Sequence, residues 1–318
     1  MNRTAGIRSG NHRQSRTEFV PISADERERE HALRERFAAF WQAASDEPRT
    51  VYDAFISASP LADDIALESV DEGGVRGWWV RPQRPEPGRA ILFLHGGGYV
   101  LGSAKAYRGF VSQIVSRARI PALVIDYPLA PESTVPAAPE AAKAAWRWLI
   151  VQGFDRIAIV GDSAGGGLTL VTLAELAKGP DGTAPVASVV FSPWADLAFT
   201  GASMTDPAVT DPLIGYDYLQ DCARKYLGGT APRNPLASPL FGDLRGLPPL
   251  LIQVGTDERL LDDARQYADR ATQAGASIEL EIFEGMHHVF QLDVAHLETS
   301  RVALDRATRF LRSAFDGR

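Results

Sequence analysis

The chain has 318 residues, 45% of them apolar and 23% charged, and 33 Lys and Arg against 40 Asp and Glu leave a net charge of −7. This composition excludes disordered, collagen-like and mucin-like chains, and the length allows about three quarters of the unfolded surface to be buried. The acidic balance argues against a nucleic-acid partner, the single Cys222 excludes an internal disulfide or a cysteine-based zinc site, and no run of about 18 apolar residues is present to insert in a membrane.

Residues 1–17 hold Arg3, Arg8, Arg13 and Arg16 and no acid. They are expected to form a solvated, mobile terminus rather than an anion-binding arm. The start shows no apolar stretch of the signal-peptide kind, so a cytoplasmic location is expected. Ser23, followed three residues on by Glu26, reads as a capping box. Leu33, Phe37, Phe40 and Trp41 then recur at helical spacing, so an amphipathic helix needs a partner surface that the sequence does not name.

Beyond Pro60 the period changes. IALESV (65–70) and VRGWWV (75–80) flank Asp71-Glu72-Gly73-Gly74, which predicts two antiparallel strands joined by a tight turn. AILFL (90–94), ALVID (122–126), RIAIV (156–160), VASVVF (186–191), LLIQV (250–254) and IELEIF (278–283) are strand-like apolar runs. Helical stretches at 139–150, 166–179, 261–275 and roughly 295–315 alternate with them. This alternation predicts the α/β class, with a mostly parallel sheet covered by helices on both faces. Only the segment between Pro193 and Pro249 breaks the pattern. It is too long for an ordinary loop and reads as a helical insertion over the sheet.

The strongest local signal is Gly161-Asp162-Ser163-Ala164-Gly165, between a strand and a helix. A G-x-S-x-G turn in that context exposes its serine at a strand end, and the flanking glycines avoid clashes. The segment matches neither phosphate-cradling glycine pattern. A second signal, His95-Gly96-Gly97-Gly98-Tyr99, follows AILFL directly. Three glycines in a row let backbone N–H groups approach an oxyanion, and Ala164, after the serine, would supply another.

A serine nucleophile needs a base. Of six histidines, His12, His31, His95 and His296 lie in the tail, the first helix, the glycine motif and the last helical stretch. His287 and His288 remain, on the loop after IELEIF. The chain order Ser, acid, His then places the acid on a strand-end loop, which Gly255-Thr256-Asp257-Glu258 fits. Asp262 and Asp263 read as first-turn carboxylates of the next helix. A metal site on His287, His288, Asp293 and His296 lacks the spacing of known zinc motifs, so no metal and no cofactor are expected.

HGGGY, DYPLAPE (126–132), GDSAGG, GTDERLLDDA (255–264) and EGMHHVF (284–290) together resemble the hormone-sensitive lipase family, in its bacterial esterase branch, over about residues 70–315. The resemblance implies an α/β-hydrolase fold with a helical cap. It divides the chain into N-terminal cap helices (1–50) and a catalytic domain (51–318) with a second cap segment inserted at about 197–245. It implies Ser163 as nucleophile, Asp257 as acid and His288, third after the glycine of its loop, as base. Gly97, Gly98 and Ala164 would form the oxyanion hole, supported by His95, Gly96, Tyr99, Gly161 and Gly165. The sequence departs from the family at Pro128, where arginine is usual, and in one extra residue on the acid loop.

The implied activity is hydrolysis of short-chain acyl esters by a Ser-His-Asp acyl-enzyme, with a small-molecule ester as the partner and a homodimer as the candidate assembly. Two alternatives stay open: deacetylation of an acylated metabolite, and a non-catalytic receptor on the same fold, against which His288 argues.

Overall fold

The computed structural model describes residues 15–179 and 184–317. The basic segment 1–14 lies outside the described residues. Among the described residues nine strands form one sheet in the order β1-β9-β8-β7-β6-β4-β5-β3-β2. They are β1 (Arg16–Val20), β2 (Ile65–Glu72), β3 (Val75–Pro82), β4 (Arg89–Leu94), β5 (Ala122–Ile125), β6 (Arg156–Asp162), β7 (Ser188–Phe191), β8 (Leu250–Gly255) and β9 (Ile278–Phe283). The helices are α1 (Ala24–Ala43), α2 (Pro48–Ile56), α3 (Arg108–Ala118), α4 (Ala137–Val151), α5 (Ser163–Ala177), α6 (Tyr216–Leu227), α7 (Leu261–Gln273) and α8 (Glu298–Phe315).

β2 and β3 pair antiparallel, as do β3 and β5, and the remaining pairs are parallel. The alternation of side chains sorts each buried strand onto two faces. Ile91 and Phe93 of β4 pack with α3 and α8. Ala90, Leu92 and Leu94 pack on the other side with α4, α5 and α7. Burial on both faces is why these strands read as unbroken apolar runs. The turn between β2 and β3 closes on Gly73 and Gly74, both at positive φ (+60° and +79°). Among the described residues no helix is long and apolar enough to cross a membrane.

Three expectations are corrected. Arg16 and Thr17 belong to edge strand β1 rather than to a mobile tail: Arg16 binds Glu279 at 2.8 Å, and Ser15 donates to the Ala276 carbonyl and accepts from Ile278 N–H. Only half of the capping box forms. Ser23 Oγ accepts the Glu26 N–H at 3.1 Å, but the Glu26 carboxylate turns away and accepts the Thr299 N–H at the start of α8 (2.6 Å). Residue 50, the expected domain boundary, falls inside α2, whose Tyr52 and Phe55 line the same cavity as Trp41 of α1.

The partner surface of α1 is the loop after β9 and the start of α8: Leu33 and Phe37 are buried among Phe283, Met286, Phe290, Leu297 and Ala303. The segment between Pro193 and Pro249 contains α6 and two short 3-10 turns (Ala202–Met204 and Pro239–Phe241) and no strand.

Candidate active site

β6 runs directly into α5, and the junction is Ser163, whose φ of +53° is strained for a non-glycine residue. A side chain at Gly165 would collide with the carbonyls of Leu94 and His95, and one at Gly161 with Gly165 O and Thr169 Oγ1. The glycines therefore let the turn pack between β4 and α5 while the serine hydroxyl faces a cavity.

His288, on the loop after β9, meets that hydroxyl: its Nε2 lies 2.9 Å from Ser163 Oγ. Its Nδ1 lies 2.9 Å from Glu258 Oε2. With neutral imidazole, Ser163 donates to Nε2 while Nδ1–H donates to the carboxylate. Glu258 is fully buried and also accepts the Gly255 N–H at 2.7 Å and the Ser192 hydroxyl at 2.8 Å. Burial pulls the His288 pKa down, but the hydrogen bond and charge of Glu258 outweigh it and leave it above the ordinary imidazole value. The carboxylate thus favours the imidazolium that forms when the serine proton transfers.

Gly97 and Gly98 line the cavity beside Ser163 and His288. Both have positive φ (+112° and +62°), and a Cβ on Gly98 would stand 2.8 Å from Cys222 Sγ. Their loop is held from beneath. Asp162 accepts from Gly96 N–H (3.0 Å) and from the Tyr107 hydroxyl (2.9 Å), and burial pushes its pKa up to about 7. The Tyr107 hydroxyl also accepts from Gly96 N–H at 3.1 Å and meets Tyr52 at 2.9 Å. His95 stacks on Tyr127 at 4.4 Å, burial lowers its pKa, and its carbonyl accepts the Tyr127 hydroxyl at 2.7 Å. Tyr99 stacks on Tyr226 of α6 at 3.8 Å, tying the glycine loop to the inserted segment.

The cavity measures about 430 Å³ and is walled mainly by apolar side chains, among them Trp41, Phe55, Leu213 and Leu219. A hydroxyl, an imidazole and a buried carboxylate in hydrogen-bonded line at the floor of such a cavity can generate an alkoxide equivalent for attack on a carbonyl.

Residues 91–292 match a family described as the alpha/beta hydrolase fold. An acetyl-hydrolase of Streptomyces hygroscopicus is 46% identical over 287 residues, covering 89% of this chain and 95% of that protein. An esterase of Acinetobacter venetianus is 33% identical over 268 residues, covering 83% and 88%. A crystal structure of an esterase from the bacterial hormone-sensitive lipase family superposes with a TM-score of 0.84 at 40% identity, covering 92% of this chain and 99% of the other. The chain belongs to the hormone-sensitive lipase family of α/β-hydrolases. It is a carboxylic ester hydrolase.

In this family member the structure brings together Ser163 and His288, but not Asp257. Asp257 Oδ1 accepts the Thr256 hydroxyl at 2.9 Å and Oδ2 accepts from Arg34 Nη2 at 2.9 Å. The correction has a steric basis. On the bend after β8 the Asp257 N–H is taken by the Met286 carbonyl, and the adjacent side chains diverge. Asp257 is left one-third exposed toward α1, while the longer Glu258 reaches inward to three donors. His287 likewise points away from Ser163, toward α1. Reasoning from sequence also passed over Ser192 and Tyr107. Ser192 follows β7 directly, a strand-end position of the kind that carries site residues in this sheet.

Proposed function

We propose that the chain hydrolyses short-chain acyl esters through an acyl-enzyme, with Ser163 as nucleophile, His288 as general base and Glu258 as the carboxylate that orients it. As the bond from Ser163 Oγ to the ester carbonyl carbon forms, the hydroxyl proton passes to His288 Nε2. The oxyanion is received by the N–H groups of Gly97, Gly98 and Ala164. Collapse breaks the bond to the alcohol oxygen, which takes the proton from His288. Water, deprotonated by the same imidazole, then attacks the acyl-serine, and the carboxylic acid leaves as Ser163 recovers its proton.

The observation that carries this reading is the unbroken line Ser163–His288–Glu258 opening into an apolar cavity. Short acyl groups are favoured by the acetyl-hydrolase name of the Streptomyces relative. They are also favoured by the cover over the cavity, which we read as a cap made of residues up to the end of α2 together with the segment at about 197–245. The test is Ser163→Ala, which removes only the attacking oxygen. It is expected to lower kcat on p-nitrophenyl butyrate by on the order of 10⁶-fold with the melting temperature kept. Turnover within tenfold of the parent overturns the mechanism.

A further inference from the structure

Each of the two loops that supply the partners of Ser163 presents a pair of adjacent residues, one to the site and one to α1. On the loop after β9 these are His288 and His287; on the loop after β8 they are Glu258 and Asp257. The α1 ends of both pairs converge on Glu30 and Arg34, one helical turn apart.

The two arms differ in strength. Arg34 meets Asp257 at 2.9 Å, but Asp257 is one-third exposed, where ion pairs contribute at most about 1 kcal/mol. His287 has no exposure. Its Nδ1 lies 2.9 Å from Glu30 Oε1, itself buried, and its Nε2 lies 3.0 Å from Asp293 Oδ2. Phe37 of α1 meets the imidazole edge to face at 5.2 Å, and Arg34 Nε donates to both Glu30 oxygens at 2.8 Å. Taking one partner from such a buried set leaves a charge uncompensated, so this arm dominates.

The loop needs an anchor there. Val289, next after His288, has φ +50°, which is costly for a β-branched residue. Its N–H is held by Ser192 Oγ at 3.0 Å on one side of His288, and His287 is gripped on the other. Without the grip on His287 the strained segment can relax, and His288 moves out of line with Ser163.

We propose that His287, clamped between Glu30 of α1 and Asp293, is a positioning residue for ester hydrolysis: it holds the strained loop so that His288 reaches Ser163. The inference rests on the proposed roles of Ser163 and His288. It makes α1 docking a condition of turnover, not only of stability. It has an electrostatic side as well. Glu30 from α1, itself paired with Arg34, and Asp293 from the loop face His287, while Glu258, Asp162 and Asp211 act on His288. A charged His287 beside His288 disfavours a second positive charge there.

The test compares the full-length parent with Glu30→Gln and His287→Gln. The first is isosteric and takes the charge out of the clamp while keeping its packing, so it guards against misfolding of the second. Measured per site labelled by a serine-directed phosphonate, both variants are expected to lose at least about tenfold in kcat with KM within about threefold, as when an interaction realised in the transition state is lost. In His287→Gln the acid limb of kcat/KM should also move to higher pH. Unchanged kcat and pH profile per labelled site, with only the melting temperature lowered, would overturn the proposal. Failure of the phosphonate to label the parent would instead overturn the serine mechanism, and this inference with it.

Discussion

At the scale of single residues, a carboxylate beside imidazole acts through its charge and through the tautomer it imposes, and both act only over hydrogen-bond distance. Glu258 satisfies this at 2.9 Å and Asp257 does not. Glu258→Gln should therefore lower kcat by about 10³- to 10⁴-fold through loss of the imidazolium partner and the wrong tautomer. Asp257→Asn should cost less than about tenfold, since it loosens only a partly exposed pair with Arg34. Steady-state kinetics on the two single variants decide the assignment, and a dead Asp257→Asn beside an active Glu258→Gln would reverse it. The serine and the histidine pair were legible because strand, turn and loop context narrows each to one or two positions. The acid was not, because adjacent Asp and Glu on a bend differ only in which way they point. Donors far off in the chain, Ser192 just after β7 and His288 after β9, decide that, and the local pattern does not show them.

At the scale of elements, α1 docks through an apolar stripe and through two buried glutamates, Glu26 at the start of α8 and Glu30 on His287. The stripe was readable from its 3.6-residue period, and the glutamates were not, since charged residues on a helix are by default solvated. They give the docking a pH window. Burial lowers the His287 pKa, but the hydrogen bonds and charges of Asp293 and Glu30 more than offset this and raise it to about 9. A raised histidine contributes stability that is fully present below 6.5 and is lost as pH climbs through about 9. Burial raises the pKa of Glu30, yet its bonds to His287 and Arg34 hold it below 4.5 overall, so its contribution is present above that value and lost as pH falls. The melting temperature should accordingly fall between pH 7 and about 9.5, and limited proteolysis within α1 should quicken over the same range. In His287→Gln the alkaline decline should flatten. An identical decline in that variant would show that other groups govern it.

At the scale of the whole molecule, the sheet places its chemistry at the carboxyl ends of β4, β6 and β8 and on the loop after β9, where elements far apart in sequence meet. All eight strands read from the sequence are present: six show as apolar runs, because burial between two helical layers leaves a strong signature, and β2 and β3 show through the turn that joins them. β1 escaped notice as a five-residue edge strand with a half-exposed, mostly polar sequence. The space above the site is set by three separate stretches: Trp41 from α1, Phe55 from α2, and Leu213 with Leu219 around the start of α6. None of these reads as a pocket wall alone. Together they enclose a volume toward the small end of ligand cavities, with apolar walls that reward each buried methylene only until the wall is met. kcat/KM on p-nitrophenyl esters should therefore rise from acetate, peak within about six acyl carbons and fall beyond. Replacing Phe55 by alanine removes a ring that meets Phe37 edge to face at 5.4 Å and Trp41 at a tilt at 5.2 Å, and so opens the wall between α1 and α2. The optimum should then move to longer chains, even as the lost packing destabilises the fold by less than the roughly 3 to 5 kcal/mol of a fully buried phenylalanine, since Phe55 is only partly buried. A parent optimum at twelve carbons or more would mean that the acyl chain leaves the cavity by another route, and that the three stretches do not set its length.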